Sequence, residues 1–315
     1  MKTARLLTLF LLAALILCLA ILLKQQKQSS LSIGREQTGQ KLFPHLALND
    51  ITKIQFVKTN QTITLSKIGS TWRVEEKFNY PANFSLIREF LIKMGEAKVV
   101  QSVPVRMNQW GQLNLVSPQN QGAATLVQLF KDSNPTSFYI GKNQEGSPGR
   151  YVRLPQKNES IYLVNEPFIA LNYKLEDWLD KQWIHPQKIA SITMKPADKP
   201  EWKLVRTNET NAFELAAVKK EKLDSAKIDK IIQSLSSLNF NDVLETNAVT
   251  ILSAFKASSR IEIKTFEGNF YRLAIGSQTN QNYYIKIETD KKEEKQFENY
   301  IYLIPKSLLE SVLQP

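Results

Sequence analysis

The chain reads as an α+β protein, with an N-terminal transmembrane helix followed by two tandem repeats, each of antiparallel β-meanders packed with one amphipathic helix. Three observations predict this. First, short stretches alternate apolar and polar residues between Gly, Asn and Ser turns, the pattern of strands with one buried face. Second, a strand block occurs twice. Phe138-Tyr139-Ile140-Gly141, Gly149-Arg150-Tyr151-Val152-Arg153-Leu154 and Ile161-Tyr162-Leu163-Val164 are answered by Leu273-Ala274-Ile275-Gly276, Tyr283-Tyr284-Ile285-Lys286-Ile287 and Ile301-Tyr302-Leu303-Ile304. Ile140-Gly141 recurs as Ile275-Gly276 and Tyr162-Leu163 as Tyr302-Leu303, at nearly the same offset, so register survives short loop insertions. Third, strands cluster around one helix-period stripe per unit, unlike the regular alternation of a parallel α/β sheet.

From Leu6 to Leu23 the chain carries no charge, and Thr8 is its one hydroxyl. As a helix these residues reach ~27 Å, enough to cross a slightly thin hydrocarbon core. Lys2 and Arg5 precede the run and Lys24 and Lys27 follow it. A short basic tail with a free amine favours the N-terminus inside and the bulk of the chain across the membrane. A cleaved signal peptide fits less well, because the run exceeds the usual h-region of about 7 to 15 residues. A lipoprotein fits less well too, since Leu17 stands where a small residue should precede Cys18. The expected organisation is a cytoplasmic tail over 1–5, a single-pass anchor over 6–23 and a polar, flexible linker over 24–47. The first repeat follows over 48–173, a connector over 174–187 and the second repeat over 188–315.

The net charge of +11 raises the question of nucleic acid, but acidic residues are interspersed with the basic ones and no basic patch or helix face is visible. A nucleic-acid partner is excluded on that ground. Cys18 is the only cysteine, so beyond the apolar run there is no thiol for a disulfide, a zinc site or covalent catalysis.

Within the first repeat, Ile51 to Val57, Thr62 to Leu65 and Thr71 to Val74 alternate as a meander, and Trp72 reads as a core residue. Tyr80-Pro81-Ala82-Asn83 opens a helix, where a missing N–H and a side-chain acceptor are both useful. Phe84, Ile87, Leu91 and Met94 form its apolar stripe and Gly95 can end it. Val103 to Pro118, with Trp110-Gly111-Gln112-Leu113, reads as a loop before the strand Thr125 to Phe130. Glu166 to Leu171 reads as a short closing helix, and Lys174 to Ile184 as an amphipathic connector carrying Leu175, Trp178, Leu179 and Trp183.

The second repeat follows the same order. Ile192 answers Ile54, and Ile228, Ile232 and Leu235 answer Ile87, Leu91 and Met94 at one common offset. Ile251-Leu252-Ser253-Ala254-Phe255 stands in the place of Trp110 to Leu113, and Arg260 to Asn269 in the place of Thr125 to Asn134. Lys291 to Lys295 reads as a charged, solvated loop, and Ser307 to Leu313 closes the chain.

The order of these motifs resembles the DUF4340 proteins of bacteria. The anchor, Ile54-Gln55-Phe56, Trp72-Arg73-Val74, Tyr80-Pro81, Trp110-Gly111-Gln112-Leu113 with Pro118, Tyr139-Ile140-Gly141, Gly149 to Arg153 and Ile161 to Val164 carry the resemblance. It covers most of 48–184 and, more weakly, the second copy. It implies a bacterial envelope protein often encoded beside ABC-transporter and gliding-motility-type auxiliary components, and with the anchor the expected location is the inner membrane, the C-terminal part outside the cytoplasm. It supplies no catalytic residue.

Nor do the residues offer catalysis, a metal or a cofactor. His45 and His185 are the only histidines, and neither has a neighbouring ligand at metal spacing. Gly141, Gly146 and Gly149 lack the Lys-Ser/Thr pair of a phosphate loop. The most unusual polar set is Arg150, Tyr151 and Arg153 on one strand. A guanidinium beside an aromatic ring suits a carboxylate, phosphate or sugar, or else a plain Arg-on-Tyr stack on a sheet face. In the second copy these arginines become Asn282 or Tyr283 and Lys286. The expected function is therefore a membrane-anchored, non-catalytic accessory or scaffold protein with a protein partner in the cell envelope, such as an ABC-type complex. The alternatives are a binding module for a cell-wall glycan or lipid headgroup and, more weakly, a hydrolase.

Overall fold

The computed structural model describes residues 37–120, 123–184, 186–216, 224–236, 238–246, 253–255 and 258–313. The expected anchor, the first part of the expected linker and His185 lie outside the described residues. No described helix is long and apolar enough to cross a membrane.

The protein is mixed α and β, mostly β, with two antiparallel sheets. In the first half the order is β1 (Lys53–Lys58), β2 (Gln61–Ile68), β3 (Thr71–Val74), β4 (Tyr80–Pro81), α1 (Phe84–Glu96), β5 (Val99–Ser102), β6 (Thr125–Phe130), β7 (Thr136–Asn143), β8 (Arg150–Leu154) and β9 (Ser160–Val164). The second half runs β10 (Ile189–Lys195), β11 (Trp202–Val205), β12 (Glu214–Leu215), α2 (Ser225–Ser236), β13 (Asp242–Glu245), β14 (Ser259–Thr265), β15 (Phe270–Gln278), β16 (Asn282–Thr289), β17 (Tyr300–Pro305) and α3 (Lys306–Leu313).

The strand orders are β4-β3-β2-β1-β6-β7-β8-β9-β5 and β12-β11-β10-β14-β15-β16-β17-β13. Put β10, β11 and β12 for β1, β2 and β3, and β13 to β17 for β5 to β9, and the two orders are the same. Only β4 has no counterpart among the described residues. In each half the strand after the helix leaves the meander and pairs with the last strand, β5 with β9 and β13 with β17. The sequence reading has no strand at either place, because Val99–Ser102 and Asp242–Glu245 are short and do not alternate cleanly.

The recurring Ile-Gly has a steric cause. A Cβ on Gly141 would lie 2.2 Å from the Leu113 carbonyl oxygen, and one on Gly276 would lie 2.9 Å from that of Ala254. Both carbonyls belong to 3-10 turns, Met107–Leu113 and Ser253–Phe255, that press on β7 and β15 at the glycine. The expected equivalence of Trp110 to Leu113 with Ile251 to Phe255 is thus visible in the backbone, although the first two residues of the second stretch lie outside the described ones.

Helix α1 buries Ile87, Phe90 and Met94, and Phe90 meets Phe56 of β1 edge-on with ring centroids 5.0 Å apart. Phe84, expected in the stripe, is 59% exposed. At about 100° per residue it sits roughly 80° from the centre of the buried face, and Phe90 takes its place. Helix α2 buries Ile228, Ile231 and Leu235, a triplet with the same spacing as the one on α1. Helix α3 packs on α2 and β17, burying Leu309 and Val312.

Four expectations need correction. Tyr80-Pro81 does not open the helix but pairs with β3 as β4, and α1 starts at Phe84. The expected linker over 24–47 ends earlier. The Leu42 amide donates to the Ala97 carbonyl, Lys41 bridges Lys98, Leu42 is buried and the Phe43 ring lies 4.9 Å from that of Phe138. Lys291 to Lys295 is largely solvated as expected, with Lys292, Glu293 and Lys295 exposed, but it is not a plain loop, since it enters the 3-10 turn Lys292–Asn299, which buries Glu294 and Phe297. The segment expected as a short closing helix forms only the 3-10 turn Ile169–Asn172; the connector has a similar turn, Leu175–Trp178, and buries Trp178, Leu179 and Trp183.

The chain divides into two compact units. One holds the described residues up to Trp72 together with Phe84–Tyr173, and the other holds Arg73–Asn83 together with the described residues from Lys174 onward. A piece of the first repeat, Arg73–Asn83, therefore belongs to the second unit.

Candidate functional site

In the first unit β8 positions the residues that the sequence singles out. Arg153 is 4% exposed, with its guanidinium carbon 4.2 Å from the centre of the Trp110 ring and 3.8 Å from that of Tyr139. Its Nε donates to the Leu115 carbonyl at 3.2 Å, and an NH group pairs with the Glu159 carboxylate at 2.5 Å. The aromatic partner is the cross-strand neighbour Tyr139, not Tyr151. Directly opposed residues have Cβ atoms about 5 Å apart, whereas i and i+2 on one strand are separated by about 6.6 Å. Arg153 thus fastens the 3-10 turn carrying Trp110 to the sheet.

Arg150 is half-buried and points elsewhere. Its Nε donates to the Gly141 carbonyl at 2.8 Å and an NH group donates to that of Pro167 at 2.9 Å. Burial lowers its pKa from the ordinary arginine value. Lys58 of β1 donates to the Leu171 carbonyl at 2.7 Å, and burial, with Arg150 nearby, lowers its pKa too. Two cations therefore hold the segment 166–172 by its carbonyls. Phe168 takes a left-handed conformation there (φ 49°) and is buried, with its amide bonded to the Glu166 carboxylate. Tyr151 is half-buried opposite Leu163. Beside this segment lies a cleft of about 130 Å³, lined by Glu89, Phe90 and Lys93 of α1 and by residues 166–170.

The register of the second sheet decides the counterparts. Asn143 faces Arg150 as Gln278 faces Tyr283, and Tyr139 faces Arg153 as Ala274 faces Lys286. Arg150 corresponds to Tyr283 and Arg153 to Lys286, at one common offset. With alanine in the place of Tyr139, the second copy cannot form the aromatic sandwich.

The second unit holds a polar cluster that the sequence does not suggest. Lys77 pairs with Asp242 at 2.7 Å and Glu176 at 3.3 Å. Lys181 donates to the Phe240 carbonyl at 2.9 Å and that of Asn241 at 3.2 Å, and lies 4.1 Å from the centre of the Phe240 ring. Burial outweighs its nearby carboxylates and lowers its pKa to about 8. These partners are far apart in sequence, so no local motif announces them. Among the described residues no group of three or more His, Cys, Asp or Glu is placed to hold a metal ion.

With this geometry in hand, comparison with known proteins is specific on one point. A family model described as "Domain of unknown function (DUF4340)" matches residues 72–260, more than half of the chain. The chain belongs to the DUF4340 family. The matched span takes in the Trp110 turn, Gly141 and the β8 arginines, and runs through the connector into the second half as far as Arg260. It leaves out Ile54-Gln55-Phe56, which contributes to the resemblance read from the sequence. No curated protein and no solved structure matches this DUF4340 chain.

Proposed function

We propose that this DUF4340 protein is a single-pass protein of the bacterial inner membrane whose two β units lie outside the cytoplasm and bind another envelope protein, without catalysis of their own. The observation that carries the reading is the employment of the side chains best suited to chemistry or ligand capture. Arg150, Lys58 and Lys181 donate to main-chain carbonyls, and Arg153 is enclosed by two rings and a carboxylate. Such groups hold the fold's turns in place. The uncharged run from Leu6 to Leu23 supplies the membrane attachment. The family resemblance points to an ABC-type export or gliding-motility-like assembly as the partner. Affinity purification of the full chain in mild detergent, from cells with its neighbouring genes intact, tests this. Recovery of stoichiometric envelope partners is expected, and repeated recovery of the protein alone counts against it.

The cleft beside residues 166–170 favours a second reading, a module that binds a cell-wall glycan or lipid headgroup. Its volume of about 130 Å³ is small beside the ~300 to 1,000 Å³ of ordinary ligand pockets. A thermal-shift panel of envelope ligands separates the two readings, because only a ligand preferring the folded state raises the midpoint.

A further inference from the structure

The second unit contains a segment that its own repeat does not supply, and the residues around that segment form a receptacle for it. We infer that the second unit carries an acceptor site for residues 73–83 and that the second repeat is incomplete without this donor hairpin.

Three kinds of contact converge on the segment. The first is apolar. Tyr80 is 0% exposed, its ring centroid 4.8 Å from Tyr300, 5.6 Å from Phe240 and 6.2 Å from both Phe297 and Tyr302. Trp183 continues the cluster at 4.0 Å from Tyr302 and 5.5 Å from Phe240. A tyrosine enclosed this way fills the centre of the cluster. Within the cluster the Tyr302 hydroxyl donates to the Phe297 carbonyl at 3.0 Å.

The second kind is backbone pairing. The Asn83 amide donates to the Trp178 carbonyl at 2.7 Å, the Asp180 amide donates to the Pro81 carbonyl at 2.9 Å, and Ala82 bridges Leu179. The connector thus treats residues 81–83 as a neighbouring strand, the mode by which an extended peptide adds to a sheet edge. The third kind is charge. Lys77, whose side chain is 12% exposed, reaches Asp242 on β13 and Glu176 on the connector. One donor segment therefore engages the connector, β13 and β17 together.

The turn of the hairpin also depends on the acceptor. Phe78 and Asn79 are consecutive non-glycine residues in the left-handed region, at φ 58° and 57°. Side chains disfavour that conformation, and it persists where surrounding contacts fix it. Here the Tyr300 hydroxyl donates to the Asn79 carbonyl at 3.2 Å and Arg73 donates to the same oxygen at 2.9 Å. The duplication is thus asymmetric in its dependence, with a Tyr80-bearing hairpin from the first repeat completing the core of the second.

The test is hydrogen exchange with peptide resolution on the full chain. Tyr80→Ala removes the ring from the acceptor, and a truncation of this size in a core accelerates exchange about 100-fold or more where exchange requires that core to open. The expected rise is greatest in β13, β17 and the segment around Trp183, with a smaller change in β6 to β8. Lys77→Met, a milder change, should move the same peptides in the same direction even if Tyr80→Ala does not fold. Phe138→Ala, a comparable truncation in the first unit, should reverse the pattern. Unchanged protection in β13 and β17 with Lys77→Met, or an equal rise across both sheets with Tyr80→Ala, would overturn the inference.

Discussion

Arg153 is where a structural and a ligand-binding role separate most cleanly. Replacing it by alanine removes two stacked rings from a guanidinium that is 4% exposed, a bond to the Leu115 carbonyl and the pair with Glu159. A desolvated cation–π contact is worth up to about 2 kcal/mol and a neutral-acceptor hydrogen bond about 1 kcal/mol. The half-exposed Glu159 makes its pair worth less than a buried one. These contacts share one side chain and do not add, so a loss of about 2 to 4 kcal/mol is expected. In a domain of this size that lowers the melting midpoint by roughly 10 °C. Arg153→Lys keeps the charge but loses the planar fork, and should fall between the two. Thermal melts followed by near-ultraviolet circular dichroism measure both, since Trp110 and Tyr139 lose their fixed environment. A midpoint within about 1 °C of wild type for Arg153→Ala would refute the structural role and leave the guanidinium available for a ligand.

The remaining predictions concern the glycines, a lysine and the second arginine. Gly141→Ala and Gly276→Ala should both destabilise, by about 1 to 3 kcal/mol. Gly141→Ala should be the worse, because its Cβ would stand 2.2 Å from a main-chain oxygen against 2.9 Å at Gly276; equal urea midpoints would contradict this. Lys181 has a folded-state pKa lowered to about 8, so above that pH the unfolded chain binds more protons than the folded one. Stability should rise from about pH 8 towards 10, then fall as Tyr80 and Tyr302, whose pKa values burial raises, ionise only in the unfolded chain. Lys181→Met should flatten the rising limb of a midpoint-against-pH series. Arg150→Ala should free the segment 166–172 from two of its carbonyl bonds, read as faster exchange there with little change in β1 and β2.

Much of the fold is legible in the chain because it is written locally. Period-two alternation marks β1 to β3 and β6 to β9, the matching stripes Ile87, Leu91, Met94 and Ile228, Ile232, Leu235 mark the helices, although burial picks Phe90 and Ile231 in place of Leu91 and Ile232, and the repeated Ile-Gly marks a tight backbone approach. What sequence does not show is long-range. The pairing of β5 with β9 depends on a return across the three strands between them. Nothing near Tyr80-Pro81 says that a proline after a turn will serve as a strand for the second unit instead of opening the helix. Arg153 illustrates both sides. Its residue type and strand are visible, but its partners, Trp110 and Glu159, reach it only through the folded turn and a short hairpin, so the nearby Tyr151 stands out in sequence instead.

The central proposal is that this DUF4340 protein holds a protein partner at the membrane. The most direct measurement is quantitative co-purification of the full chain from its native envelope in mild detergent, compared with a variant carrying substitutions in the first unit's exposed residues. The account predicts an envelope protein recovered in fixed ratio with the wild type. Recovery of the chain alone in every detergent, beside a glycan or lipid headgroup that raises its melting midpoint, would contradict it.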